Sequence, residues 1–325
     1  MPPKIKGMTA KLNPSKSTPP RFTLLVSGED APNEAFDSPP CGLPHERFLL
    51  GDKLPIAPVL LLGQSSLTVN PSEVIASLQP VHLHATRDHL ILMSQDQIDL
   101  TLNESTQLLK AALPFIEEDF GNSVLLQGQY YWFIPAGPFA DLTTHSIDQA
   151  HGRNIDWWMP RDTETPGIAK LWRKLQNEIQ MLWHIDPVNQ EREQKGLPSI
   201  NSLWISGIGK LADVQAPNVL QNSKQIYGDH PLLLGLAKYL GIAQQNAIDF
   251  SNLSNGFAWL KEPMHSWKDL CQALLEKQIA ELEIIDFPNG KIRQRILTTK
   301  DVYKKSWAFW KKPELLSWKE LNTSS

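Results

Sequence analysis

The residues best suited to hold a charged ligand lie near the middle of the chain. A strand-like run over residues 201–205 leads directly into Ser206-Gly207-Ile208-Gly209-Lys210. Two glycines allow a backbone turn whose N–H groups point outward, and the lysine adds positive charge beside them. Such a loop suits a phosphate or a carboxylate. A Gly-x-Gly-Lys after a strand is more often a plain turn, however, and it is not the longer G-x-x-x-x-G-K-[ST] loop of nucleotide-binding proteins.

Other reactive side chains have weaker patterns. Ser206 is only a near miss to the G-x-S-x-G nucleophile motif, and no histidine or asparagine pattern accompanies Cys41. His82 and His84 alternate along a predicted strand and so share one face. They allow a metal pair, but we favour solvent-facing strand positions, because no D-x-H or H-x-x-x-H spacing joins them to acidic residues. The sequence therefore predicts no metal site and no catalytic residue.

The elements that would position these residues differ between the two halves of the chain. In the first half the pattern predicts a strand from Arg21, a helix over residues 44–51, a buried strand over residues 57–62 and two strands within residues 81–93. A helix from residue 103 or 105 to about residue 117 follows, and then a hairpin joined at Gly128. This half reads as α+β.

The second half has clearer helix signals. Thr165-Pro166 predicts a helix start, and apolar residues then recur at helical spacing as far as about His184. Asp186-Pro187 predicts a second helix. Further helices are expected over residues 231–241 and 266–280, and a hairpin turns at residues 288–290. The predicted fold is α/β, a mixed sheet flanked by helices in two lobes, with the α+β character in the N-terminal half.

Composition excludes several classes of protein. The chain has 325 residues, 41% of them hydrophobic and 20% charged, with a net charge of −4 and only two cysteines. Its 11 Trp, 11 Phe and 5 Tyr are more aromatic surface than a disordered chain carries. No apolar run is long enough to span a membrane. Two cysteines do not make a disulfide framework. We therefore expect a globular protein of the cytoplasm, with no membrane association.

Part of the second half resembles a known enzyme family. Pro187-Val188-Asn189, Arg192, Gly196 and the spacing Asn201-x-x-Trp204-x-x-Gly207-x-Gly209 are similar to the substrate-binding lobe of archaeal-type cofactor-independent phosphoglycerate mutases, whose core is alkaline-phosphatase-like. The resemblance covers residues 140–243, although Ser206 stands where that family has its second tryptophan and Asp186 where it has a histidine. It implies a phosphorylated substrate.

A second resemblance covers more of the chain. PHER at residues 44–47, FADL at 139–142, LQNEIQMLWH, PVNQEREQKGLP and the final WKKP-x-L are similar to bacterial RPFE-type regulatory proteins, over residues 40–316. No activity is established for that family, so this resemblance implies a lineage and no reaction. The mutases use two divalent metals and a serine phosphoenzyme, and their Asp-Gly, D-E-A-x-H and D-H-G segments were not found here.

The resemblance, with these departures, predicts a mutase-like protein that binds a small phosphorylated or carboxylated ligand without mutase turnover. The expected ligand-binding residues are Asn189, Arg192, Asn201, Ser206, Gly207, Gly209 and Lys210. Arginine suits this role because its guanidinium pairs with such anions through two parallel hydrogen bonds. Structural roles compete with it: Asn201 could cap a turn, Arg192 could be a solvated helix position paired with a neighbouring glutamate, and Trp204 fits a core.

Two other functions stay open. One is an active phosphoglycerate mutase or phosphatase, an isomerase in the first case, whose divalent metal ligands the sequence does not reveal; otherwise no cofactor is expected. The other is a regulatory protein that binds a protein partner through its C-terminal tail, where Lys304, Lys305, Lys311 and Lys312 accompany Trp307, Phe309, Trp310 and Trp318. Such a tail could also stack on nucleic acid, but the negative net charge argues against it, and we favour a tail that docks on the core.

Four segments are predicted. Residues 1–20 form a disordered basic leader, residues 21–140 an N-terminal α+β lobe, residues 141–243 the mutase-like lobe, and residues 244–318 a C-terminal helix, hairpin and tail packed on the core.

Overall fold

The computed structural model describes residues 20–30, 41–304 and 314–323. The described strands are β1 (Arg21–Val26), β2 (Val74–Val81), β3 (Leu83–Ala85), β4 (Leu90–Leu92), β5 (Leu126–Gln127), β6 (Trp132–Pro135), β7 (Leu142–Thr143), β8 (Arg161–Asp162), β9 (Ser202–Lys210), β10 (Gln225–Tyr227), β11 (Ala243–Gln245), β12 (Gly256–Leu260), β13 (Glu281–Asp286) and β14 (Arg293–Leu297). The described α-helices are α1 (Pro44–Leu50), α2 (Ile56–Gln64), α3 (Gln95–Ile98), α4 (Leu102–Phe120), α5 (Ile147–Ala150), α6 (Ile168–His184), α7 (Pro187–Gln194), α8 (Asn218–Gln221), α9 (Pro231–Leu240), α10 (Met264–Leu275) and α11 (Trp318–Thr323).

The main sheet has six strands in the order β11-β10-β12-β1-β13-β14. Its first five strands are parallel, and β14 runs antiparallel to β13 at one edge. In β1, residues 22–25 are almost completely buried, as expected of a strand covered on both faces. The carboxyl ends of β1, β10 and β12 therefore meet at one edge of this sheet.

A second sheet has four antiparallel strands in the order β5-β6-β2-β9. Its two faces have different neighbours because side chains alternate along each strand. Ala76 and Leu78 of β2 pack with α4 and α6 in one core, whereas Ile75 joins a second core that also contains residues of α2, α9 and the main sheet. The second sheet and the main sheet thus enclose a shared core, with α10 on the far side of the main sheet.

The structure confirms the α/β class and the mixed sheet flanked by helices. The strand at Arg21, the helix at residues 44–50, the helix starting at Pro187 and the hairpin of β13 and β14 lie where the sequence places them. The side-chain oxygen of Asp186 accepts a hydrogen bond from the N–H of Val188, which is the cap expected from Asp-Pro. Trp172, Trp183 and Trp204 are at most 1% exposed and belong to the core.

Three local predictions are wrong. Residues 57–62 lie in the helix α2, because an apolar run buried on all sides reads alike as strand or helix. Helix α6 begins after Gly167, which has a positive φ, and its N-cap is not Thr165. The Gly-x-Gly-Lys sequence is not a loop after a strand, since β9 continues through Lys210 and its end pairs with β2.

Both large sheets join strands from different predicted segments. Strand β1 pairs with β12 and β13 of the C-terminal part, and β2 pairs with β9. Residues 1–19 of the predicted leader and the tail residues Lys305, Trp307, Phe309, Trp310, Lys311 and Lys312 lie outside the described residues. Trp318 lies within them and contacts Trp267 edge to face, with ring centroids 5.3 Å apart. None of the helices in the described parts combines the length and apolar character that crossing a bilayer requires.

Candidate functional site

A cavity of about 720 Å³ lies at the carboxyl edge of the main sheet. The segments that follow β1, β10 and β12 reach it, and the second sheet, α1 and the segment around α5 complete its wall. In open α/β sheets this edge is where ligands usually bind, because the loops that leave the strands converge there. Its volume is within the range of small-molecule sites.

The second sheet contributes a polar wall. Gln79 of β2 and Ser206 of β9 line the cavity, and the Ser206 hydroxyl donates a hydrogen bond to Oε1 of Gln79 at 2.9 Å. Tyr131, just before β6, lies on the same wall, and burial raises the pKa of its phenol to about 12. These groups can donate or accept hydrogen bonds without adding charge to the site.

Two imidazoles flank Trp259 in the opposite wall. The ring centroid of His230 is 4.2 Å from that of Trp259, and the centroid of His45 is 5.1 Å from it. Desolvation lowers the pKa of each histidine to about 4, with the charge of Lys261 acting in the same direction. Nδ1 of His230 accepts a hydrogen bond from the N–H of Leu232, which assigns the ring proton to Nε2. Both rings are therefore uncharged at neutral pH.

The charged groups on the cavity wall nearly balance. Asp30 is committed to an ion pair with Arg47 at 2.6 Å. Lys261, two residues beyond Trp259, and Arg153, which lies 5.1 Å over the ring of Trp158, are the lining cations within the described residues. They face the lining carboxyl groups Glu29, Glu46, Asp148 and Glu262. Burial raises the pKa of Glu46 to about 7, so it is only partly ionised at neutral pH, and Glu262 lies at the exposed mouth. The interior therefore has no large excess of either sign.

Glu46 is the most deeply buried of these carboxyl groups. It is 8% exposed, and its Oε2 accepts a hydrogen bond from the N–H of Leu43 at 2.6 Å. Burial raises its pKa to about 7, and the nearby charge of Asp148 adds to that effect. A carboxyl group that keeps its proton near neutral pH can donate a hydrogen bond to a bound oxygen.

Three of the predicted ligand-binding residues, Asn189, Asn201 and Arg192, bond to the protein backbone and do not line this cavity. Asn189 donates to the carbonyls of Trp183 and Ile200 and accepts from the N–H of Ile200. Asn201 bonds to both backbone groups of Leu83. The resemblance motif thus fixes the turn between α7 and β9 and its contact with β3, and ligand binding by these two residues stays a prediction.

Arg192 is fully buried and has protein partners around its guanidinium. Its Nε donates to the carbonyl of Pro198 at 2.8 Å, a second nitrogen donates to the carbonyl of Ile98, and a third lies 3.0 Å from the carboxylate of Glu104. The alternative of a solvated helix position paired with a neighbouring glutamate is wrong, because Arg192 is fully buried and its glutamate partner is the distant Glu104 of α4. The geometry gives Arg192 the role of joining α7 to the start of α4.

The remaining predicted residues separate from one another. Ser206 lines the cavity, whereas Lys210 is exposed at the end of β9 and is absent from the lining. A Cβ at Gly207 would lie 2.8 Å from the backbone nitrogen of Ala57, and one at Gly209 would lie 2.8 Å from Cα of Pro55. The two glycines therefore allow β9 to pass close to the start of α2. Among the seven predicted residues, only Ser206 contributes to the cavity.

The main cavity residues were not predicted from the sequence. They are His45, Glu46, Asp148, Arg153, His230, Trp259 and Lys261. Two signals were available. His45 and Glu46 belong to the PHER segment that carries the second resemblance, and Asp229-His230-Pro231 follows a short strand and starts a helix. Residues that follow different parallel strands can be recognised as parts of one site only when the pairing of the strands is known.

The paired divalent metals of the mutases need clusters of carboxylate and imidazole ligands. Within the described ranges, no group of three or more His, Cys, Asp and Glu side chains is arranged to hold a metal ion. The described residues therefore do not fit such a metal pair.

Burial of His230 makes the stability of the protein depend on pH. A pKa that is lower in the folded state than in the unfolded state gives stability that is present above about pH 6.5 and is lost as the pH falls to about 4. We expect the stability advantage of wild type over His230→Asn, which keeps a capping side chain, to shrink over that range. Denaturant unfolding at several pH values measures it. The exposed His265, changed to asparagine, is the control, and an advantage that stays constant with pH would contradict the buried, uncharged ring.

The described residues define an α/β protein with a cavity at the carboxyl edge of its main sheet. Comparison with solved structures finds similarity to the cofactor-independent phosphoglycerate mutase from Thermoplasma acidophilum DSM 1728, with 13% identity and a TM-score of 0.36, covering 88% of this chain and 92% of that one. The PH0037 protein from Pyrococcus horikoshii also aligns, with 13% identity and a TM-score of 0.39, covering 87% of this chain and 90% of that one. No family model and no curated protein matches the sequence. Alignments with such low identities and TM-scores carry no information about function.

Proposed function

We propose that this protein binds a small phosphorylated or carboxylated ligand in the cavity at the carboxyl edge of the main sheet. It is phosphoglycerate-mutase-like in that residues 140–243 carry the sequence motif that resembles those enzymes. The observation that carries the proposal is the combination of Lys261 with two uncharged imidazoles around Trp259 in one concave wall. A lysine offers charge to an anion, and neutral imidazoles offer hydrogen bonds without repelling a cation or an anion.

The polar wall opposite Lys261 supports a ligand with more than one polar group. The hydroxyl of Ser206, the amide of Gln79 and the phenol of Tyr131 are spread over the second sheet. Apolar side chains such as Leu60, Leu232 and Trp158 also line the cavity. Small-molecule sites typically combine an apolar lining with a few polar groups that fix orientation.

The proposal is for binding without mutase turnover, as the sequence predicts. The chain lacks the metal and nucleophile segments of the mutases to which it is otherwise similar in residues 140–243. An assay of phosphoglycerate mutase activity with added Mn²⁺ tests this part separately from binding. Turnover that disappears when the metal is removed would favour the active-enzyme alternative.

Replacing Lys261 with methionine is expected to weaken binding of 3-phosphoglycerate by about tenfold, because a charge-assisted hydrogen bond from an exposed lysine contributes roughly 1.5 kcal/mol, the lower end for such bonds. The probe carries both a phosphate and a carboxylate. Ligand binding stabilises the folded state by mass action, so a thermal-shift titration measures the loss. The exposed Lys268 of α10, changed to methionine, is the matched control and should behave as wild type.

A thermal shift that is equal in wild type and Lys261→Met would show that the ligand does not bind in this cavity. The absence of any shift with 3-phosphoglycerate and with a panel of other phosphorylated and carboxylated metabolites would leave the protein-partner alternative.

A further inference from the structure

The loop and helix that carry Glu46 are fixed tightly at the cavity wall. Gly42 exchanges two hydrogen bonds with the side-chain amide of Gln149, at 2.9 and 2.8 Å. Leu43 donates to Oε2 of Glu46, so the side chain folds back over the start of α1. Among the described residues no hydrogen bond reaches Oε1 of Glu46, and the residue lines the cavity. One carboxyl oxygen is thus held by the backbone and the other is available to a ligand.

The charged and titratable groups around Glu46 come from three elements. Arg47, next to it on α1, directs its guanidinium to Asp30 and to the carbonyls of Cys41 and Gly42. Asp148 of α5 and Tyr131 before β6 face Glu46 across the cavity wall, and Asp148 repels its negative form. The cation in this set is therefore engaged elsewhere, and it lowers the pKa of Glu46 by less than the charge of Asp148 raises it.

We propose that Glu46 is a ligand-binding residue that keeps its proton and donates it in a hydrogen bond to an anionic oxygen of the ligand. The inference rests on the proposed function and makes it more specific. A phosphate or carboxylate oxygen is accommodated beside Glu46 only while that side chain is neutral, since two negative oxygens in contact repel each other. Lys261 then neutralises the rest of the ligand charge from the β12 side.

This arrangement selects for anions over cations and makes selection depend on pH. An ammonium group would bind better when Glu46 is ionised, whereas an anion binds better when Glu46 is protonated. Glu46 loses its proton near pH 7, because burial and Asp148 raise its pKa to about that value. The fraction of protein competent to bind an anion therefore falls by about tenfold between pH 6 and pH 8.

The experiment compares affinities for 3-phosphoglycerate in wild type and Glu46→Gln by calorimetry at about pH 6 and about pH 8. Glutamine keeps an acceptor for Leu43 and a donor for the ligand, and it cannot ionise. We expect the two affinities to be similar at pH 6 and the variant to bind about tenfold more tightly than wild type at pH 8. Ionisation of the ligand itself cancels in this ratio. Glu191→Gln, at an exposed carboxyl group of α7 outside the cavity lining, should follow wild type at both values.

The outcomes separate this inference from the proposed function. The role of Glu46 is overturned if the ratio of the Glu46→Gln affinity to the wild-type affinity is the same at both pH values, or if wild type binds more tightly at pH 8. Either result leaves the cavity as the binding site. No binding in either protein overturns both. If Glu46→Gln does not fold, ¹³C NMR titration of the Glu46 carboxyl in wild type decides, because a coupled anion must raise its pKa, and an unchanged pKa contradicts the proposal.

Discussion

Replacing Arg192 with methionine is expected to lower the free energy of unfolding by about 3–5 kcal/mol. The guanidinium is completely buried and lies 3.0 Å from the carboxylate of Glu104, whose side chain is 14% exposed. Its removal leaves that carboxylate with only its hydrogen bonds from Thr101, and leaves the carbonyls of Ile98 and Pro198 without the donor that Arg192 supplies. Since the arginine joins α7 to the start of α4, the loss is expected to appear in global unfolding.

Denaturant unfolding of Arg192→Met measures this loss, and Lys195→Met is its control on the neighbouring turn. Lys195 is exposed and pairs with Glu191 at 3.6 Å, so its removal should cost less than about 1 kcal/mol. A variant at Arg192 that keeps nearly full stability and loses affinity for 3-phosphoglycerate would restore the ligand-binding role predicted from the sequence.

Replacing Gly235 with alanine is expected to destabilise the protein by about 3 kcal/mol, at the upper end of what overpacking usually costs. A Cβ at this position of α9 would lie 1.9 Å from the carbonyl oxygen of Val59 in α2. Gly63 makes the reciprocal approach, with a Cβ position 2.2 Å from the carbonyl oxygen of Pro231. The obstacles are backbone atoms, so a whole helix must move.

The sign of this effect separates packing from helix propensity. Alanine is the better helix former by about 1 kcal/mol, so propensity alone predicts stabilisation. Thermal or denaturant unfolding decides between them. Gly137→Ala is the control, because no atom lies within 4 Å of its Cβ position and its φ is not positive; we expect a change within about 1 kcal/mol. Neutral or stabilising behaviour of Gly235→Ala would mean that α2 and α9 are not this close.

Local signals in the sequence were sufficient for elements that end in distinctive residues. Asp186-Pro187 at the start of α7 and the hairpin turn after β13 combine a cap or a turn with clear apolar spacing. The run in α2 has no such contrast. Its Ala57 and Leu61 are equally buried, and periodicity then does not separate a strand from a helix.

The site was harder to predict because its parts are distant in the chain. Strand β1 pairs with β12 and β13, more than 200 residues away, and no local pattern encodes that pairing. His45, Asp148, His230 and Lys261 come together only through it. The sequence pattern indicated that Gly207 and Gly209 form an anion-binding turn. In the structure these glycines instead allow α2 to approach β9 closely.

The central claim is that the cavity at the carboxyl edge of the main sheet binds a small anion. Isothermal titration calorimetry of 3-phosphoglycerate into wild type, Lys261→Met and Lys210→Met tests it most directly, because the two lysines belong to the cavity and to the motif predicted from sequence, respectively. We predict one site per chain, weakened about tenfold by Lys261→Met and unchanged by Lys210→Met. Affinity that is lost in Lys210→Met and kept in Lys261→Met would contradict the account.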